Sequence, residues 1–242
     1  MSFRLPTATL VRILLAAWLA VSCPYEAAAA SEAPVQVPAA AGAGVDVERY
    51  VVQLRPDLDS GRLSARQRIV ARVLEDGLRA VEFDAGDLDV QSVSRDGDAL
   101  GFTREERRLR IQLAAPARAG ERIELWIAYS GQPKHGLQFH PARRELYTIF
   151  STSQWMICVD APSERAALDL ELSLPRDLRV AANGRQTQVR DVEGDAGLRA
   201  HRWLQAAPVP SFTYGFAAAP YHESVERLSG VRLRYLSIEQ CW

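Results

Sequence analysis

Lysine is almost missing from this 242-residue chain: Lys134 is the only one among 29 basic side chains, and arginine supplies the rest. That bias carries no functional meaning by itself. Charge of one sign is missing too, with 29 basic against 30 acidic side chains. Removing residues 1–30 would take away Arg4, Arg12 and Glu26, leaving 27 basic and 29 acidic groups. Such a balance provides no electrostatic footprint for nucleic acid or an anionic membrane. Cysteine is scarce, at three residues. Long apolar runs are lacking as well. The longest, Ile13 to Val21, is too short to span a bilayer as a helix, so no transmembrane segment is expected.

That short run is informative in another way. Arg4 and Arg12 precede or flank it, and Ala27 to Ala30 follow with small-residue cleavage sites. Residues 1–30 therefore read as a signal peptide, with Ser31 as the mature start. The protein is expected to be exported, either to a periplasm or out of the cell. Val21-Ser22-Cys23 loosely resembles a lipoprotein processing site, which leaves a lipid anchor at Cys23 as the alternative reading. Cleavage near Ala30 would leave Cys158 and Cys241. An oxidising compartment allows them to pair, but the preferred reading is a buried Cys158 and a free Cys241.

Residues 31–44 (SEAPVQVPAAAGAG) read as a flexible linker, residues 45–238 as a β-sandwich domain and residues 239–242 as a tail. From Val45 onward, strand follows strand. Tyr50, Val52 and Leu54 alternate; Pro56 to Gly61 has turn chemistry; Leu63, Ala65, Ile69, Ala71 and Val73 resume a period of two, which is a hairpin signature. Asp96-Gly97 and Asn183-Gly184 mark turns. Ile123 to Tyr129 and Leu168 to Leu174 alternate strictly, and shorter alternations include Val81 to Ala85, Leu109 to Leu113, Phe212 to Phe216 and Val231 to Tyr235. Period-two runs describe sheets with one buried face. Many of them, with no amphipathic helix between, predict an all-β fold, an antiparallel β-sandwich.

The search for chemistry turns up fragments. His222-Glu223-Ser224-Val225-Glu226 approaches the His-Glu-x-x-His of zinc peptidases, in which two histidines on one helix face bind the metal and the glutamate acts as base. Here the fifth position is Glu226, and a solvated loop is the expectation. His135, His140, Cys158 and Asp160 are zinc-ligand types at a spacing that fits no zinc pattern. Ser151 to Ser153 sits in no nucleophile elbow, and no glycine-rich phosphate loop occurs. The arginine-rich stretches Arg104 to Arg110 and Arg143-Arg144 are interleaved with glutamate, as in solvated turns. Trp155 and Trp203 are expected in the core; Trp242, at the end of the sequence, is unassigned. No catalytic, cofactor-binding or metal-ligating residue is assigned in this chain.

The order of the markers nevertheless has a precedent. Leu109-x-Ile111 precedes Gly120; Ile127-x-Tyr129-x-Gly131 and Gly136-Leu137 follow; then come Cys158-x-Asp160-x-Pro162-x-x-Arg165, Pro175, Asn183-Gly184, His201-x-Trp203 and Tyr214. From about Tyr50 to Tyr235 the chain resembles the N-terminal β-sandwich domain of M1-family zinc aminopeptidases. Two features depart from that family: Ser151 to Ile157 stands where an Ala-Arg and a Phe-Pro pair are usual, and no Gln-x-Glu substrate loop can be matched. The resemblance implies a non-catalytic module, not active alone. Its zinc, His-Glu-x-x-His helix and third-ligand glutamate would lie in a separate catalytic domain. The implied partners are that domain or a peptide substrate, and a full-length relative would remove N-terminal residues from peptides. The alternative is a free-standing secreted β-sandwich that binds or scaffolds without enzymatic activity.

Overall fold

The structure, a computed structural model, describes residues 40–238. The expected signal peptide, Cys23, Cys241, Trp242 and the tail lie outside the described residues. Residues 40–44, the end of the expected linker, are folded. Gly42 N–H donates to Glu82 O (2.8 Å), Leu74 N–H donates to Gly44 O (2.8 Å), and Ala41 packs on the core.

Among the described residues, every regular element longer than one 3₁₀ turn is a strand. The largest sheet has eight strands: β1 (Val45–Asp57), β2 (Arg62–Val73), β4 (Asp89–Arg95), β5 (Asp98–Ala99), β8 (Arg122–Gly131), β11 (Ala166–Pro175), β13 (Arg185–Val192) and β14 (Asp195–Val209). They run in the order β13-β14-β11-β1-β2-β8-β4-β5. Two smaller sheets cover its inner face. One is β3 (Leu78–Asp84), β7 (Arg108–Ala117) and β6 (Phe102–Glu105). The other is β12 (Arg179–Ala182), β15 (Phe216–Ala219), β10 (Glu145–Thr148) and β9 (Leu137–His140). A separate hairpin, β16 (His222–Leu228) and β17 (Val231–Ser237), completes the described chain.

The alternating runs explain the layers. Tyr50, Val52 and Leu54, Ile123 to Tyr129, and Leu168 to Leu174 each send every second side chain to the inner face, where these are buried. They meet Val81, Phe83, Leu109 and Ile111 from the three-stranded sheet, and Leu146, Val180, Phe216 and Ala218 from the four-stranded one, in a single core. Burying large apolar side chains, each worth roughly 1.5–3 kcal/mol, is what holds such layers together. The outer face of the large sheet carries ion pairs, including Arg68–Glu124 (2.8 Å) and Arg202–Asp169 (2.6 Å).

Three details differ from the period-two expectation. First, β1 pairs with β11 in parallel, Tyr50 opposite Leu168 and Leu54 opposite Leu172, inside an otherwise antiparallel sheet. A parallel pair needs a long crossover, here the whole stretch from β2 to β10. Second, Phe212 to Phe216 is not one strand. Ser211–Thr213 is a 3₁₀ turn, closed by Thr213 N–H to Pro210 O (3.0 Å) and Tyr214 N–H to Ser211 O (2.9 Å). It leaves Phe212 exposed and Tyr214 buried. Third, Asn183-Gly184 is a turn but not a hairpin: it carries the chain from β12 in one sheet to β13 in another. Gly184 has φ +81° there, and a Cβ would stand 2.2 Å from Leu204 O.

Between β10 and β11 the chain threads an irregular, fully buried segment, Trp155 to Val159. Buried backbone outside a ladder must find partners elsewhere, and here side chains from distant strands supply them. The Gln67 amide nitrogen donates to Ile157 O (2.5 Å), and its oxygen accepts from Ile157 N–H (3.1 Å). The Tyr50 hydroxyl accepts from Val159 N–H (3.0 Å), Tyr129 donates to Trp155 O (3.3 Å), and Ser211 donates to Val159 O (2.9 Å). Cys158 itself bridges to the backbone of Asp84.

Candidate functional site

The near-miss at His222 to Glu226 is settled by its secondary structure. It forms β16, a strand. At about 3.3 Å per residue, positions four apart in a strand stand roughly 13 Å apart, not one helical turn. His222 and Glu226 therefore cannot share a metal. Glu223 points to the opposite face from both, where Arg234 holds it at 2.9 and 3.2 Å, Arg179 at 3.2 Å and Arg232 at 4.0 Å. The Arg234 guanidinium holds its carboxyl below the usual range, with Arg179 and Arg232 adding to the effect. It is an ion-pair anchor, not a base waiting for a proton. The solvated-loop expectation for this segment is thus replaced by an anchored strand.

The other candidate ligands are equally dispersed. His140 stacks on Tyr147, ring centroids 5.5 Å apart. Cys158 is fully buried, and burial, with Asp160 and Asp84 nearby, pushes its thiol well above the usual range, so it stays protonated. The buried, unpaired Cys158 agrees with its sequence reading. Asp160 receives hydrogen bonds from Ser153 and Ser211 (3.3 Å each). Among the described residues, no three His, Cys, Asp or Glu side chains come together in a way that could hold a metal ion. Zinc therefore does not fit the side chains of the described residues.

Ser151 to Ser153 likewise serves structure. Ser151 sits at φ +46° before a 3₁₀ turn, and the following Thr152 donates to Ser211 O (2.8 Å). The arginine stretches are pinned rather than free: Arg104 donates to Ala85 O and Gly86 O, and Arg144 makes a two-point contact with Asp177 (2.9 and 2.7 Å). Trp155 and Trp203 are core residues, Trp155 edge-on to Phe216 at 5.4 Å.

What the structure does assemble is an apolar surface. In the β16–β17 hairpin, Leu228 pairs with Val231, Glu226 with Leu233 and Ser224 with Tyr235. Cross-strand partners share a face, so Leu228, Val231, Leu233 and Tyr235 project together, with Ser224 and Glu226 among them and the Tyr235 hydroxyl donating to Glu226 (3.2 Å). Leu228 is 65% exposed and Val231 59%. The Val231 to Tyr235 alternation thus forms the expected strand, but its apolar side meets no second layer. A two-stranded hairpin alone is marginal in water. Its opposite face is tied to the rest of the fold by the ion pair between Arg179 and Glu223 (3.2 Å). A second exposed apolar spot lies at Ile149, Phe150 and Phe212. Phe150, with φ +43°, is 75% exposed. The turns bearing these side chains are joined by the Thr152–Ser211 hydrogen bond. The alternation of β17 was visible in the sequence; its exposure was not, because nothing local says whether a second sheet covers it.

No protein-family model matches the chain. Among solved structures, it is similar to a two-domain M1 zinc metallopeptidase, crystallised as a mutant bound to L-tryptophan. That match has 21% identity and a TM-score of 0.70, and covers 82% of this chain and 48% of that one. It is also similar to an M1 zinc metallopeptidase from Deinococcus radiodurans, both as a mutant bound to a Tyr-Ser-Ala substrate (22% identity, TM-score 0.70, 82% and 48%) and without mutation (22%, 0.70, 81% and 48%). The chain spans about half the length of these structures. Its fold is that of one domain of an M1 zinc metallopeptidase.

Proposed function

We propose that this chain is the non-catalytic β-sandwich module of an M1-type zinc aminopeptidase, exported from the cytoplasm, and that its apolar hairpin face packs against a separate catalytic domain. The observation that carries this reading is the exposure of Leu228, Val231 and Tyr235, with the half-buried Leu233 beside them, on a hairpin that belongs to neither small sheet. The fold likeness supports the same reading, since it covers about half of an M1 metallopeptidase. The zinc, and the water it activates against a peptide carbonyl, belong to the partner domain in this scheme. The module contributes shape and a docking face.

Two measurements test the proposal. The purified chain, supplied with zinc and an aminoacyl chromogenic substrate, is expected to show no metal-dependent turnover; turnover by this chain alone would overturn the reading. The coding sequence beyond Trp242, or an adjacent frame, is expected to encode His-Glu-x-x-His. Its absence there would favour a free-standing binding or scaffold protein.

A further inference from the structure

Behind the apolar face of the hairpin lies a cleft with the opposite character. β12 and its lead-in form one wall, the β13–β14 edge of the large sheet another, and the polar side of β16–β17 the third. The cleft measures about 360 Å³, room for one small ligand. Arg176, Arg179, Arg199 and Arg234 line it. Two carboxylates are shared among them. Glu223 takes Arg179 and Arg234, while Asp191 takes Arg176 (3.0 Å) and Arg199 (3.6 Å). Asp177, also in the lining, is occupied from outside by Arg144. Each guanidinium has five N–H donors, and two carboxylates do not satisfy four of them.

His201 is the second, independent observation. It lines the same cleft and is only 5% exposed. The Gln186 side-chain amide lies 3.4 Å from Nδ1; with the amide nitrogen donating to that ring atom, the proton sits on Nε2. Nε2 is buried and has no hydrogen-bond partner. A buried donor left unpaired costs about 1–3 kcal/mol. In a wall with excess arginine, the partner it lacks is an acceptor carrying negative charge.

We infer that this juxtaposition of four arginines and the unpaired Nε2 of His201 is a binding site for a small multivalent oxyanion, of the phosphate or polycarboxylate kind. The site does not rest on the docking reading, since it uses the other face of the hairpin. The charged groups facing His201 are Arg199 on its own strand, Arg176, Asp177 and Arg179 beside β12, and Glu223 and Arg234 on the hairpin. Burial, with Arg199 adding to it, holds the imidazole below its ordinary value. An anion bound beside the ring favours the imidazolium and raises it.

The test is a calorimetric titration of the full purified chain with inorganic phosphate, and in a parallel arm with tricarballylate, at low salt. The His201 imidazole is followed by NMR across pH in each arm. Saturable binding is expected, with the His201 midpoint moving up by about one unit or more at saturation. Arg199→Gln is expected to weaken binding by about tenfold or more. Arg66→Gln, on the exposed outer face, is expected to leave it unchanged. The tighter of the two arms identifies the oxyanion class. Urea midpoints of both variants show whether they fold. If Arg199→Gln fails to fold, Arg179→Gln replaces it. Failure of both anions to bind at about 10 mM, an unmoved His201 midpoint, or equal losses in Arg66→Gln and Arg199→Gln would each overturn the assignment.

Discussion

Replacing Gln67 with leucine should be among the most damaging single changes this protein can suffer. Gln67 is completely buried on β2, and its amide makes two hydrogen bonds to the backbone of Ile157. Leucine has nearly the same volume, so no large cavity forms. What changes is that the Ile157 N–H and C=O lose their partners while still sealed from water. Each orphaned group costs about 1–3 kcal/mol, hence about 2–6 kcal/mol for the pair. The added apolar atoms of leucine offset about 1–2 kcal/mol of that. The net loss is about 2.5 kcal/mol at the middle of these ranges, a large share of the 5–15 kcal/mol typical of a whole domain. At roughly 2–4 °C per kcal/mol for a domain of this size, the melting temperature should fall by about 5–10 °C. The assay is urea unfolding followed by tryptophan fluorescence, which Trp155 beside the clamp should report. Gln91→Leu is the control, because the bond from Gln91 to Ser130 (2.7 Å) is on the surface. A loss below about 1 kcal/mol for Gln67→Leu, or one equal to the control, would refute the view that side chains satisfy this segment's backbone.

Three other outcomes follow from the structure. Gly184→Ala puts a Cβ 2.2 Å from Leu204 O at φ +81° and should cost more than about 2 kcal/mol by thermal melt. The double substitution Leu228→Asp and Val231→Asp should change unfolding free energy by less than about 1 kcal/mol. It should also abolish association with a co-expressed catalytic domain, as read by analytical ultracentrifugation. Retained association would remove the hairpin from the interface. His201 has a folded-state value below its unfolded one, so the unfolded chain binds the proton first on acidification. Its contribution is present above about pH 6.5 and is lost as pH falls toward the folded value. His201→Gln should flatten that part of the stability profile relative to wild type, and identical profiles would contradict the assignment.

The strands that could be read from sequence are those whose cause is local. Ile123 to Tyr129 and Leu168 to Leu174 alternate because one face of each is buried, and the pattern and the burial coincide. The features that escaped are set by partners far along the chain. Trp155 to Val159 is apolar without alternation, and its burial depends on Tyr50, Gln67, Tyr129, Ser211 and the backbone of Asp84, brought there by distant parts of the chain. The Phe212 to Phe216 alternation was overruled by hydrogen bonds from Ser211 and Thr152 that tie the turn to the buried segment. The arginine cleft draws on residues from Arg176 to Arg234 with no regular spacing, so no motif announces it. His222 to Glu226 shows the converse. A motif can be nearly complete in sequence and void in space, because ligand spacing has meaning only on the element that carries it.

The parallel pairing of β1 with β11 also orders events in time. As the chain is synthesised, or threaded through a pore from its N-terminus, β1 and β2 emerge together and can pair at once. The other edge of β1 stays open until Ala166–Pro175 arrives. Pairing across such a separation is slow to form, and an open edge invites another chain. A product cut short before β11 would therefore carry an unfilled slot beside Tyr50 and Val52, and should be found in aggregates or bound to chaperones rather than as a smaller version of this domain.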